Sequence, residues 1–114
     1  MSTMDKPVVW LHGVVKSPPF SRAARLEAGF LLRLLQQGEL LGMPQSRPMP
    51  VIGARCHELR IVDEGMNWRI FYRLDTDAVV IADVVTKKTD TTPASALMRC
   101  RTRLRSYDHA CRQA

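Results

Sequence analysis

Apolar residues recur along this chain first with strand-like, then helical, then again strand-like spacing, and each switch marks an element. Residues Val8 to Val15 are rich in β-branched and apolar side chains and read as a first strand. Pro18 and Pro19 end it, and Ser17 is the expected N-cap of the helix after it. From Phe20 to Gln37 the spacing is helical. Ala23, Leu26, Phe30 and Leu34 make one row, and Ala24, Ala28, Leu31 and Leu35 make the next. Arg22, Arg25, Arg33 and Gln36 fall opposite, and Gly38 marks the stop. Glu27 projects among Phe30, Leu31 and Leu34 in this pattern, so a partnered carboxylate at the edge of the core is expected there.

The stretch from Gly42 to Gly53 holds Pro44, Pro48 and Pro50 and reads as an extended connector. Three strands come next, His57 to Asp63, Asn67 to Leu74 and Ala78 to Lys87, divided by turns short enough to make neighbours antiparallel. Thr92 then caps a last helix with Pro93 in its first turn, and Leu97, Cys100, Leu104 and Tyr107 supply its buried stripe. The order strand, helix, three-strand meander, helix predicts an α+β fold, an antiparallel sheet of about four strands with helices packed on one face. A single domain is expected over residues 1–114, with 1–6 and 109–114 flexible and His109 in the polar tail.

Period-two alternation separates the faces of this sheet. Leu59 and Ile61 point one way, Glu58 and Arg60 the other; Trp68, Ile70, Tyr72 and Leu74 oppose Arg69, Phe71 and Arg73. A hairpin loop at Asp63 to Met66 sets Arg60 directly across from Arg69. Two like charges side by side are unfavourable unless an anion sits over them. Of Lys87 and Lys88, which alternate, one shares the arginine face. The expected result is a cationic strip on an open face, with Arg69 exposed there and its truncation harmless to the core. The same pattern also describes a merely solvated outer face. His57 alternates with Leu59 and Ile61, which suits a core or edge histidine, and His12 falls in the first strand.

Composition narrows the partners. The 114 residues carry a net charge of +6, and the pI near 9.8 favours a polyanion such as nucleic acid or an acidic protein. No apolar run approaches the roughly 20 residues of a membrane span, and the start of the chain lacks the apolar core of a signal peptide. A cytoplasmic protein without membrane contact is expected. Cys56, Cys100 and Cys111 are an odd number without Cys-x-x-Cys spacing, and the histidines are scattered, so neither a disulfide framework nor a metal site is expected.

The run His57-Glu58-Leu59-Arg60-Ile61, then Trp68-Arg69-Ile70-Phe71-Tyr72-Arg73, then Lys87-Lys88-Thr89 with Thr92-Pro93, is similar to the HigB-type branch of the RelE/ParE toxin superfamily, which includes many phage-derived toxin-like proteins. Arg22 to Glu39 and Ser46 to Pro50 resemble that branch too, so the likeness runs from about Val8 to Tyr107. The resemblance implies a toxin that enters the ribosomal A site and cleaves mRNA. It also implies a neighbouring gene for an antitoxin with a helix-turn-helix domain. Family members use basic side chains on the open sheet face, and Arg60, Arg69, Lys87 and Lys88 match those positions. With His57 these are the candidate catalytic residues; Arg73, Arg60 and Lys88 are the candidate RNA contacts. The implied chemistry is metal-free and cofactor-free transesterification, in which a ribose 2′-OH attacks the adjacent phosphate. Arg60 and Arg69 suit stabilisation of charge on phosphorus, and Lys87 or Lys88 suits the base if cationic neighbours depress its pKa. Relatives often place a Tyr or His near the C-terminal end; here Tyr107 belongs to the buried stripe and His109 to the tail. A ParE-like gyrase poison without nuclease activity shares the fold, as does an inactive phage-derived remnant that only binds its antitoxin.

Overall fold

The structure, a computed structural model, describes residues 5–11, 20–87 and 92–113; the expected features at His12, Ser17, Pro18, Pro19 and Lys88 lie outside them. The elements are β1 (Val8–Trp10), α1 (Arg22–Gln36), β2 (Ser46–Pro48), β3 (Cys56–Asp63), β4 (Met66–Leu74), β5 (Val79–Lys87) and α2 (Ala94–Gln113). They build a five-stranded sheet in the order β1-β5-β4-β3-β2. The meander lies where the alternation puts it. Glu64 and Gly65 close the β3–β4 hairpin at φ 30° and 78°, the paired left-handed geometry that matches strand twist. Arg60 pairs with Arg69 across it.

Two features of the sheet differ from the sequence expectation. The proline-rich connector contains a short edge strand, β2, antiparallel to β3, where Pro48 is tolerated because an edge strand need not donate on its outer side. At the other edge β1 runs parallel to β5, so the sheet is mixed.

The helices also lie on opposite faces rather than one. α1 starts at Ser21, whose side chain accepts the Ala24 N–H at 3.1 Å. It buries Ala24, Ala28, Leu31, Leu32 and Leu35 against the face carrying Leu59, Ile61, Ile70 and Tyr72. Only one of the two expected apolar rows is therefore in the core. Leu26 and Phe30 remain 64% and 62% exposed, and Glu27 is exposed beside them, because Leu32 closes the buried arc from the other side. α2 covers the second face, setting Ala96, Cys100 and Leu104 against Cys56, Phe71, Val80 and Ala82. The small residues on β5 let a helix approach the strands closely. β4, covered by helices on both sides, is buried from Trp68 through Arg73.

A bulge in β5 makes this second face possible. Tyr72 pairs with Ile81 and Phe71 with Asp83, leaving Ala82 as the extra residue. Ile81 packs with the α1 core and Ala82 with the α2 core. Beyond the bulge Asp83 faces α2, where Arg99 Nε donates to it at 3.0 Å and Arg103 Nη1 at 3.0 Å.

Two ion and hydrogen-bond clusters tie helices to sheet. Asp63 Oδ2 accepts the Ser21 backbone N–H at 3.0 Å and the Trp68 indole N–H at 3.1 Å, anchoring the start of α1. Arg73 is gripped on two sides, by Asp75 from its own strand end and by Asp108 of α2, at 2.7 to 3.0 Å. α2 thus continues as helix through Asp108 and an exposed His109 to Gln113 instead of fraying. At the other end the Lys6 backbone N–H donates to the Gln36 carbonyl at 2.9 Å, and the Gln36 side chain donates back to the Lys6 carbonyl at 2.7 Å.

These clusters set the response to acid. Hydrogen bonds from the Ser21 hydroxyl and backbone N–H, then from the Trp68 indole, hold Asp63 below the usual carboxylate range. Asp108 is lowered as well, chiefly by its hydrogen bonds from Arg73. A carboxylate depressed in the folded state contributes fully above its unfolded value, here near 3.8, and loses that contribution as pH falls through the folded value. The urea midpoint is expected to hold between about pH 7 and 5 and to drop below about pH 4. Asp63→Asn and Asp108→Asn should each start lower and fall less steeply, as urea titrations across this range will read.

Candidate functional site

The α2 face of the sheet carries most of the charge. Glu58 on β3 is fully buried, with three guanidinium groups around one of its oxygens. Arg47 Nε lies 3.2 Å from Glu58 Oε1, Arg69 Nε 3.3 Å and Arg60 Nε 3.7 Å. One strand supplies the acid and three strands supply the bases, so the cluster binds β2, β3 and β4 together. Arg69 also donates from Nη1 to the Trp68 carbonyl at 3.4 Å.

The sequence expects an external anion over the Arg60–Arg69 pair; the chain provides one of its own in Glu58. One carboxylate thus stands among three permanent cations. Across the sheet the same pattern recurs. Glu58 pairs with Phe71 and Phe71 with Asp83, so two buried acids flank one aromatic ring in a single row. Asp83 holds Arg99 and Arg103. The band therefore gathers guanidinium groups from β2, β3, β4 and α2 around two buried carboxylates.

A cavity of about 340 Å³ opens beside the Glu58 cluster, lined by Glu27, Pro44, Gln45, Arg60, Val62, Asn67 and Arg69. It exists because β2 is short. The Arg60 N–H donates to the Gln45 carbonyl at 2.8 Å, just before β2 begins, and the edge of β3 beyond that point has no strand beside it among the described residues. Its wall combines guanidinium, amide, carboxylate and apolar groups.

The expected site residues do not all meet here. Arg60 and Arg69 share the cavity. Arg69 is only 4% exposed, which corrects the expectation of an outward side chain whose loss the fold would ignore. The cause is Glu58: a buried acid keeps its cations close. Lys87 stands in register with Asn67, beside this end of the sheet, and Lys88 is outside the described residues. His57 is on the other face, its ring stacked 5.3 Å from that of Tyr72, away from the guanidiniums. Arg73, expected among the RNA contacts, is buried between Asp75 and Asp108 with its donors committed. Sequence reasoning passed over Arg47, Asp83, Arg99 and Arg103, and placed Glu27 at the edge of the core, where it is exposed. Only Glu58 left a signal, through its alternation with Arg60 and its diagonal relation to Arg69.

The sheet of this α+β chain thus carries a cavity walled in part by arginine. Residues 19–105 match the family model described as Phage derived protein Gp49-like (DUF891). The chain belongs to that family, which is RelE/ParE-like and whose members are often toxins of toxin–antitoxin systems; an antitoxin partner is implied. No curated protein and no solved structure matches the chain. Among the described residues no helix is long and apolar enough to cross a membrane.

Removing the central acid while keeping its shape tests the cluster. Glu58→Gln leaves buried guanidiniums without their counter-charge and is expected to cost on the order of 3 kcal/mol in urea unfolding. Arg60→Ala removes a partly exposed partner and should cost less than about 1 kcal/mol.

Proposed function

We propose that this chain is a ribosome-dependent mRNA interferase of the HigB-type branch, the toxin of a type II toxin–antitoxin pair. The observation that carries the reading is the guanidinium-lined cavity beside Glu58. An RNA phosphate entering it meets Arg60, with Arg69 behind, and Glu58 keeps both forks aligned before the substrate arrives. Alignment in advance is what makes such donors effective towards charge that develops only in the transition state.

The reaction is transesterification. The ribose 2′-OH attacks the neighbouring phosphorus, the bond to the 5′-oxygen breaks, and the products are a 2′,3′-cyclic phosphate and a 5′-OH. Arg60 and Arg69 take the phosphoryl charge. Lys87 or Lys88 takes the 2′-OH proton. His57 and Arg73 stand apart from this chemistry, the first stacked on Tyr72 and the second clamped by two carboxylates. The ribosomal A site supplies the orientation of the RNA. The partner is an acidic antitoxin with a helix-turn-helix domain, encoded by a neighbouring gene. Net charge of +6 favours its approach, and the exposed Leu26 and Phe30 of α1, beside exposed Arg22 and Arg33, give it apolar and cationic surface to cover.

Primer extension on a translated mRNA during expression of the toxin decides between the readings. Codon-phased 5′ ends are expected, and Arg60→Ala should reduce their formation roughly a hundredfold without changing the fold. Breaks in supercoiled DNA in their place assign a gyrase poison, and growth without either lesion assigns an inactive antitoxin-binding remnant.

A further inference from the structure

A second basic cavity lies on the α2 face, at the far end of β4 from the Arg60 site. It encloses about 400 Å³ between the 52–56 turn and the C-terminal half of α2, and its walls include Arg55, Arg73, Arg101 and Arg105, with Asp108, over a floor containing Cys56 and Leu104. Two of the four guanidiniums are committed. Arg73 is saturated by Asp75 and Asp108. Arg101 gives its Nε and Nη2 to the Val51 carbonyl at 3.0 and 2.6 Å, which fixes its position and leaves its charge uncompensated. Arg55 reaches Asp75 only at 3.6 Å and has a side chain 63% exposed. Arg105 is exposed and makes no ion pair among the described residues. Asp75 and Asp108 thus answer two of four cations, and the remaining positive charge lines the opening.

The backbone adds an independent observation. Arg55 has φ 63°, a left-handed conformation that glycine adopts freely and a long side chain does not. The Leu74 N–H holds that peptide by donating to the Arg55 carbonyl at 3.1 Å. Gly53, two residues earlier in the same turn, does not take a positive φ. The turn therefore spends its glycine where none is needed and keeps an arginine where one is strained. Strain of this kind persists where the side chain is needed in place.

We infer that this cavity is a second phosphate site, in which Arg55, Arg101 and Arg105 hold a phosphodiester of the RNA strand whose cleavage is proposed at the Arg60 cavity. It rests on that proposal for the identity of the strand. Arg69 and Arg73 are four residues apart on β4, about 13 Å at strand spacing, a distance one extended RNA strand spans within a few nucleotides.

The test is binding of a short 2′-O-methyl RNA oligonucleotide, which cannot undergo the attack, read by fluorescence anisotropy over a salt series with the full chain. Arg55→Gly should melt at the same temperature or higher, because glycine relaxes the turn, and yet bind more weakly. Each lost phosphate contact should flatten the log affinity against log salt slope by about 0.7, so Arg55→Gly/Arg105→Ala should lose about 1.4 and bind roughly tenfold more weakly. Unchanged slope and affinity in the double variant overturn the site. Arg60→Ala, measured alongside, separates the two ideas: loss in that variant alone removes the second site and leaves the interferase, and loss in the double variant alone does the reverse. Absence of binding by every form at low salt overturns the second site. Inorganic phosphate that raises the melting temperature through Arg55 and Arg105, with oligonucleotide affinity untouched by the double variant, assigns the cavity to free phosphate and overturns the RNA strand.

Discussion

A carboxylate taken fully out of water has to keep cations within a few ångströms, and in this molecule Glu58 imposes that condition on three strands at once. Arg47 draws the short edge strand against β3, Arg69 is pulled under the surface of β4, and Arg60 is left between interior and solvent. The cavity wall is a product of these positions. So is the close setting of its guanidiniums, which the buried acid holds together. Asp83 and Arg73 obey the same condition elsewhere on the face, the one gathering Arg99 and Arg103, the other recruiting Asp75 and Asp108. Each buried charge on this face has at least one partner from another element or a strand end, and α2 is tied to the sheet through such pairs.

Much of the sheet was readable because alternation with period two is a direct image of a pleated surface. The meander, its register and the Arg60–Arg69 pair came from it. The sides taken by β5 were not readable beyond Ala82. A bulge adds one residue without any mark in the local pattern, and Ala78 to Lys87 looks evenly alternating until Ile81 and Asp83 are seen on adjacent partners. Past that residue every side chain changes sides, which is how Asp83 comes to face α2. The apolar rows of α1 failed for another reason. A periodic stripe says which residues are neighbours, not how wide an arc the core takes, and Leu26 and Phe30 were equally good candidates until Leu32 filled the place.

The candidate site was half legible for a related reason. Arg60 and Arg69 are visible as a local pairing, whereas Arg47, Arg99 and Arg103 come to the charged band by contacts between distant segments. The depth of Arg69 was misjudged because an arginine on an alternating strand looks solvent-facing when its acid is not considered. Placing Glu58 at the centre also means that Arg60 and Arg69, which line the cavity, are part of what holds the strands in register.

The parallel pairing of Val8 with Val79 has a consequence for how such a chain comes into being. The first strand leaves the ribosome early, but its partner is the last strand of the sheet, and α2, which covers the second face, emerges later still. The β3–β4 and β4–β5 hairpins need only local chain to form, whereas the outer edge pairs only once β5 has followed, and the second face is covered only after α2. The earliest strand therefore waits, in synthesis from the N-terminus, for a partner that follows a helix and three other strands.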